Sequence, residues 1–206
     1  MSRFRVLVPV AVGGAAVALL IVVALVRSST SSGTPDLWVP LWGALTAIGL
    51  CAAVGLAVLL PGRLAFRVMT RERSGTGVRF IAARDRSIHE AWTRYGTGAS
   101  DSPHVFTPVH VGSNGIELWW GGTAARPVAV IPASDVASVG VGYAALATTS
   151  PVHVLEITVT GLAEPVRLAP LGRTGILTRG GTATSTLAAE ISAVLSAATA
   201  AEDGRM

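Results

Sequence analysis

The sequence predicts an α+β protein in two parts: a two-helix transmembrane hairpin, then an antiparallel β-sandwich or partly open barrel closed by a C-terminal amphipathic helix. Three observations carry this prediction. Half of the 206 residues are hydrophobic and 14% are charged, so part of the chain does not face water. The apolar residues are concentrated in two early runs, and the apolar period changes to two beyond residue 104 and to the helical one near the C-terminus.

The first run, Val6 to Val26, has 21 residues, and the second, Leu37 to Leu60, has 24; neither holds a charge. About 20 residues span a hydrocarbon core of roughly 30 Å as a helix. The first run exceeds the apolar region of a secretory leader, and Arg27-Ser-Ser-Thr-Ser-Ser offers no small-x-small cleavage pattern, so an uncleaved helix is expected. Gly13 with Ala16, and Gly43 with Ala47 and Gly49, leave small-residue surfaces in the two spans. Such residues are also simply frequent in this composition.

Charge sets the orientation. The borders of the spans carry Arg3, Arg5, Arg27, Arg63, Arg67, Arg71 and Arg73 against Asp36 and Glu72, whereas the chain from Ser74 onward has nine Arg and ten acids. The loop 27–36 holds one Arg and the stretch after the second span four, so the positive-inside rule places both termini in the cytoplasm. An inner-membrane, two-pass protein is expected, with the lipid bilayer as its first partner. The near-neutral remainder argues against nucleic acid, which needs a basic patch.

Pro61-Gly62 interrupts the apolar run, and Arg63, Arg67, Arg71 and Arg73 then alternate with apolar residues. This basic juxtamembrane stretch can lie against anionic headgroups, or serve only to fix topology. Residues 1–73 thus form the membrane part. Residues 74–103 read as a linker, with a short strand and a short helix within 78–95, and residues 104–200 form the β domain, followed by a tail, 201–206. Val105 to Val111 and Ile116 to Trp120 flank the turn Gly112-Ser-Asn-Gly115, a hairpin pattern. Val128 to Ile131, Val136 to Val141, Val152 to Thr160 and Val166 to Ala169 predict four further strands. Leu187, Ile191, Val194, Leu195 and Ala198 form one stripe on a helix from about Thr184 to Ala200.

Within this pattern, IPASDVASVGVG (131–142) is a strand interrupted by Pro132, which removes a ladder donor, and by Asp135, which can bond nearby backbone amides as the chain turns. The order of HVFTPVHVGSNGIELWW, IPASDVASVGVG, VHVLEITVTG with PVRLAP, and a closing helix resembles the bacterial PH-like domains attached to one or two membrane helices. Ile131, Pro132, Asp135, Val136 and Val139 match that family's I-P-x-x-D-I/V-x-x-V stretch, with Ala133 where a larger residue is frequent. The resemblance covers residues 104–200 and implies a seven-stranded domain whose first strands fall within 78–95. It implies the fold without the phosphoinositide site of eukaryotic relatives, because the hairpin turn 112–115 carries no Arg.

The chemistry-bearing residues are sparse. All sixteen basic residues are Arg, so neither a Schiff-base nor a P-loop lysine exists, and the lone Cys51 sits in mid-span. His89-Glu90 begins like a zincin helix, but Thr93 stands where the second histidine is needed. His104, His110 and His153 are scattered over different strands. No catalytic, cofactor or metal residue is assigned, and no enzyme is expected. The loop 171–185 combines glycines, hydroxyls, Arg173 and Arg179 before a helix, the ingredients of an anion or lipid-phosphate contact. It also reads as a plain connector in which Thr184 or Ser185 caps the helix. Trp119 and Trp120, adjacent on a strand, point to opposite faces, so one of them is a candidate for an exposed interaction surface. The expected function is a membrane-anchored, non-enzymatic module at the inner leaflet binding a protein partner or another copy. The alternatives are an accessory subunit of an envelope transport or sensing complex, or an anionic-lipid-binding protein. The spans hold no Asp, Glu, Arg or His, so neither forms an ion path by itself.

Overall fold

The computed structural model describes residues 38–75, 77–85, 87–96, 106–120, 122–145, 151–172 and 178–203. The run 6–26, the loop 27–36, His104 and Arg173 lie outside them. The chain divides into two compact units, Met1–Val58 and Leu59–Met206.

Helix α1 runs Trp38–Glu72. Its segment Leu45–Glu72 is, among the described residues, the one helix long and apolar enough to cross a membrane, with mean hydropathy 2.1. Trp42, Ile48 and Leu56 are well exposed along it, a surface suited to acyl chains rather than water. One such helix is described, where the sequence predicts a hairpin of two. Pro61-Gly62 does not end the helix, which continues through Pro61 to Glu72 although Pro61 lacks a main-chain donor. Gly62 lets it approach Phe106 closely, since a Cβ there would lie 3.2 Å from the Phe106 Cβ.

In the second unit, β1 (Val78–Arg84), α2 (Ile88–Tyr95), β2 (Phe106–Gly112), β3 (Gly115–Trp120), β4 (Arg126–Ile131), β5 (Val136–Ala144), β6 (Val152–Val159), β7 (Val166–Pro170) and α3 (Gly181–Asp203) follow in order. The seven strands form one open antiparallel sheet ordered β4-β3-β2-β1-β7-β6-β5. Strand β1 and helix α2 come from the segment in which the sequence foresaw a short strand and a short helix, and β1 is the central strand.

The two edge strands are consecutive in the chain. In a flat sheet, six spacings would put β4 and β5 about 29 Å apart, yet Pro132–Asp135 spans at most roughly 19 Å between Ile131 and Val136. The sheet therefore curls until its edges approach. Ala133–Asp135 makes the corner as a single 3-10 turn, so the interrupted strand does stop and restart. The Asp135 side chain serves the corner differently from the expected bonds to backbone amides. It accepts from the Tyr95 hydroxyl (2.8 Å) and the Ser134 hydroxyl, while its main-chain carbonyl accepts from the Thr160 amide (2.8 Å).

The concave face holds the main core. Phe80, Val109, Val111, Ile116, Leu118, Leu155, Ile157 and Leu168 meet Ile88 and Trp92 of α2 and Leu187, Ile191, Leu195 and Ala198 of α3. The predicted stripe is thus the buried one, apart from Val194, which is partly buried. Helix α3 begins three residues earlier than expected, so Thr184 and Ser185 do not cap it. Their hydroxyls donate to the carbonyls of Gly180 and Gly181 one turn back.

Candidate functional site

The convex face of the sheet would be polar if it met water. Instead the last turns of α1 cover part of it: Ala65 and Met69, one helical turn apart, pack with Trp119 and Ala125. This explains why β2 and β3 are buried on both faces. Trp119 is fully buried here and Trp120 is partly buried against the main core. The tandem tryptophans are therefore packing residues, Trp119 wholly and Trp120 in part.

At the end of α1 a buried polar cluster forms. The hairpin register sets His110 directly opposite Glu117. Glu117 accepts from Arg73 Nη2 (2.8 Å, to Oε1) and Arg73 Nε (3.0 Å, to Oε2), and from Trp119 Nε1 (3.0 Å). His110 Nδ1 lies 3.2 Å from Glu117 Oε2. The Arg73 guanidinium also stands 5.7 Å from the Trp119 ring centroid, a cation–π distance. Burial pushes the Glu117 carboxyl up, but the hydrogen bonds from Arg73 and Trp119 and the nearby charges outweigh it and hold it below its ordinary value. Burial pushes His110 down, and Arg73 and Arg79 add to this against the opposing pull of Glu117. A carboxylate with three donors fastens the end of α1 to the β2–β3 hairpin. A shallow cavity of about 250 Å³ opens beside it, bounded by Glu72, Ser74 and the turn 112–115.

The second feature is basic. Arg63 and Arg67 of α1, Arg79 of β1 and Arg179 beyond β7 line one pocket of about 260 Å³, together with Phe66, Ile81 and Leu171. Among the described residues, no carboxylate lines it. Main-chain bonds build its floor: the Leu171 amide donates to the Ile81 carbonyl and the Arg179 amide to the Pro170 carbonyl, both 2.8 Å. Two arginines are braced, Arg179 Nε on the Leu171 carbonyl (3.2 Å) and Arg79 Nη1 on the Arg73 carbonyl (2.8 Å). The latter also sets a cation at the C-terminal end of α1, where the helix dipole favours one.

The arginines of the segment 63–73 therefore separate into distinct roles. Arg63 and Arg67, four apart on one helix face, join Arg179 at the pocket. Arg71 is exposed and does not line it, and Arg73 is committed to Glu117. The sequence reading missed Glu117, His110 and Arg79. A two-residue turn at Ser113-Asn114 already implies His110 opposite Glu117, whereas nothing local in the sequence joins Arg73 to Glu117 across 44 positions. Among the described residues, no group of three His, Cys, Asp or Glu side chains could hold a metal ion. No protein-family model matches the chain, and no curated protein or solved structure is significantly similar to it.

Proposed function

We propose that the chain is a two-pass inner-membrane protein whose C-terminal part is a PH-like, non-enzymatic interaction module held at the cytoplasmic leaflet. One observation carries this reading: the apolar helix does not hand over to a loose linker but continues into the folded unit. There Ala65 and Met69 are buried and the following Arg73 is fastened to Glu117. The sheet order, the corner at Pro132–Asp135 and the closing helix α3 support the PH-like class.

Edge strand β5 supplies the surface for a protein partner or a second copy. It has a single strand neighbour among the described residues, β6, and it carries Tyr143, 66% exposed, beside Val141. An edge with an exposed aromatic side chain suits strand addition. Affinity purification of the full-length protein in mild detergent tests the reading. A stoichiometric partner or self-complex that is lost in Tyr143→Glu supports it. A wild-type protein recovered as a monomer with lipid alone contradicts it.

A further inference from the structure

The pocket lined by Arg63, Arg67, Arg79 and Arg179 shares no lining residue with the cavity beside Glu117 and includes none of β5. Arg67, Arg79 and Arg179, with Arg63 beside them, line about 260 Å³, and no carboxylate is among the described lining residues. Several like charges gathered in one concave place raise the local concentration of anions. Guanidinium groups match phosphate oxygens with paired donors. Position adds a second argument. Arg63 follows the apolar run's last residue, Leu60, by three positions of helix α1, or about 4.5 Å of rise. The remaining lining is apolar through Phe66, Ile81 and Leu171, suited to the carbon part of a phosphate ester rather than to a fully hydrated ion.

We propose that this pocket is a binding site for a phosphate ester, taken from the headgroup layer of the membrane in which α1 sits. It lies on the convex face of the sheet, apart from the turn 112–115. The phosphate chemistry stands on the pocket alone, while the lipid as its source rests on the membrane reading above.

The test uses the full-length protein in phosphatidylcholine nanodiscs, with and without phosphatidylglycerol, and separately with glycerol phosphate added to the phosphatidylcholine sample. Binding is read by native mass spectrometry and by the thermal midpoint. Phosphatidylglycerol is expected to bind and raise the midpoint, and Arg67→Gln with Arg79→Gln to weaken it roughly thirtyfold, at about tenfold or less per arginine. Arg67→Gln alone provides a variant of an exposed residue that leaves the braced Arg79 intact, and should retain part of the loss. Arg71→Gln, outside the pocket, should retain full binding. An effect of glycerol phosphate that the same variants abolish, without one of phosphatidylglycerol, keeps the phosphate site and removes the membrane as its source. Equal binding by wild type and the pocket variants, or an equal loss in Arg71→Gln, overturns the proposal.

Discussion

Arg73 grips both carboxylate oxygens of Glu117, at 2.8 and 3.0 Å, and thereby ties the residue just after helix α1 to the second strand of a hairpin. The carboxylate is nearly fully buried while the arginine is 39% exposed, so the two ends of the bond differ in consequence. Losing the arginine leaves a buried carboxylate with only the Trp119 indole and His110 to satisfy it.

Arg73→Ala should therefore destabilise the domain by roughly 2 kcal/mol, below the full cost of breaking a buried pair because Arg73 is partly solvated. For a chain of this size that is a fall of roughly 4–8 °C in the thermal midpoint, read by the fluorescence of the buried tryptophans. Arg73→Lys should recover only part of it, since an ammonium cannot make the paired contact.

Acid should loosen the same cluster in two stages. His110 titrates below its ordinary 6.5 in the fold, so as the pH drops through that value the unfolded chain gains a proton that the folded one refuses, and stability falls. Glu117 is held below its ordinary 4.5, so its contribution is full above that value and is lost on further acidification. Midpoints recorded from pH 8 to pH 4 should decline first below about 6.5. His110→Gln should flatten that first decline and leave the lower one.

Glycine requirements differ sharply between two positions. Gly115 has φ +111°, and a Cβ there would collide with the Ile131 carbonyl oxygen, so Gly115→Ala should cost about 2 kcal/mol or more. Gly140, in β5, has open space around a Cβ. Gly140→Ala should be neutral or stabilising by up to about 1 kcal/mol. Chemical denaturation of the two variants side by side measures the contrast.

The corner between the sheet edges depends on Tyr95 and Asp135. Slight burial and the Asp135 carboxylate push the Tyr95 hydroxyl above its ordinary value. Tyr95→Phe and Asp135→Ala should each cost about 1 kcal/mol, and the double variant should cost less than their sum, because both remove one bond.

Much of the sheet was legible because its code is local. Alternation and turn residues placed β2 to β7 within a few positions, and Pro132 marked the corner because a missing donor cannot be hidden in a ladder. Strand β1 was harder, since VRFIAAR carries charge at Arg79 and Arg84 and sits centrally only because its neighbours arrive from distant sequence. The candidate site depends on the same long-range geometry. Arg179 and the juxtamembrane Arg63 and Arg67 were singled out as separate features, and only the curled sheet brings them to one pocket. Arg73 read as one more interfacial charge, because its partner is 44 residues away.

Dual-reporter fusions in intact bacterial cells test the central claim most directly. A fluorescent protein that folds only in the cytoplasm and an alkaline phosphatase active only outside it are placed after Met206 and, separately, within the loop 27–36. A membrane-seated cytoplasmic module predicts fluorescence without phosphatase activity at the C-terminus and the reverse in the loop. Phosphatase activity at the C-terminus, or a fluorescent full-length chain recovered in the soluble fraction, would contradict it.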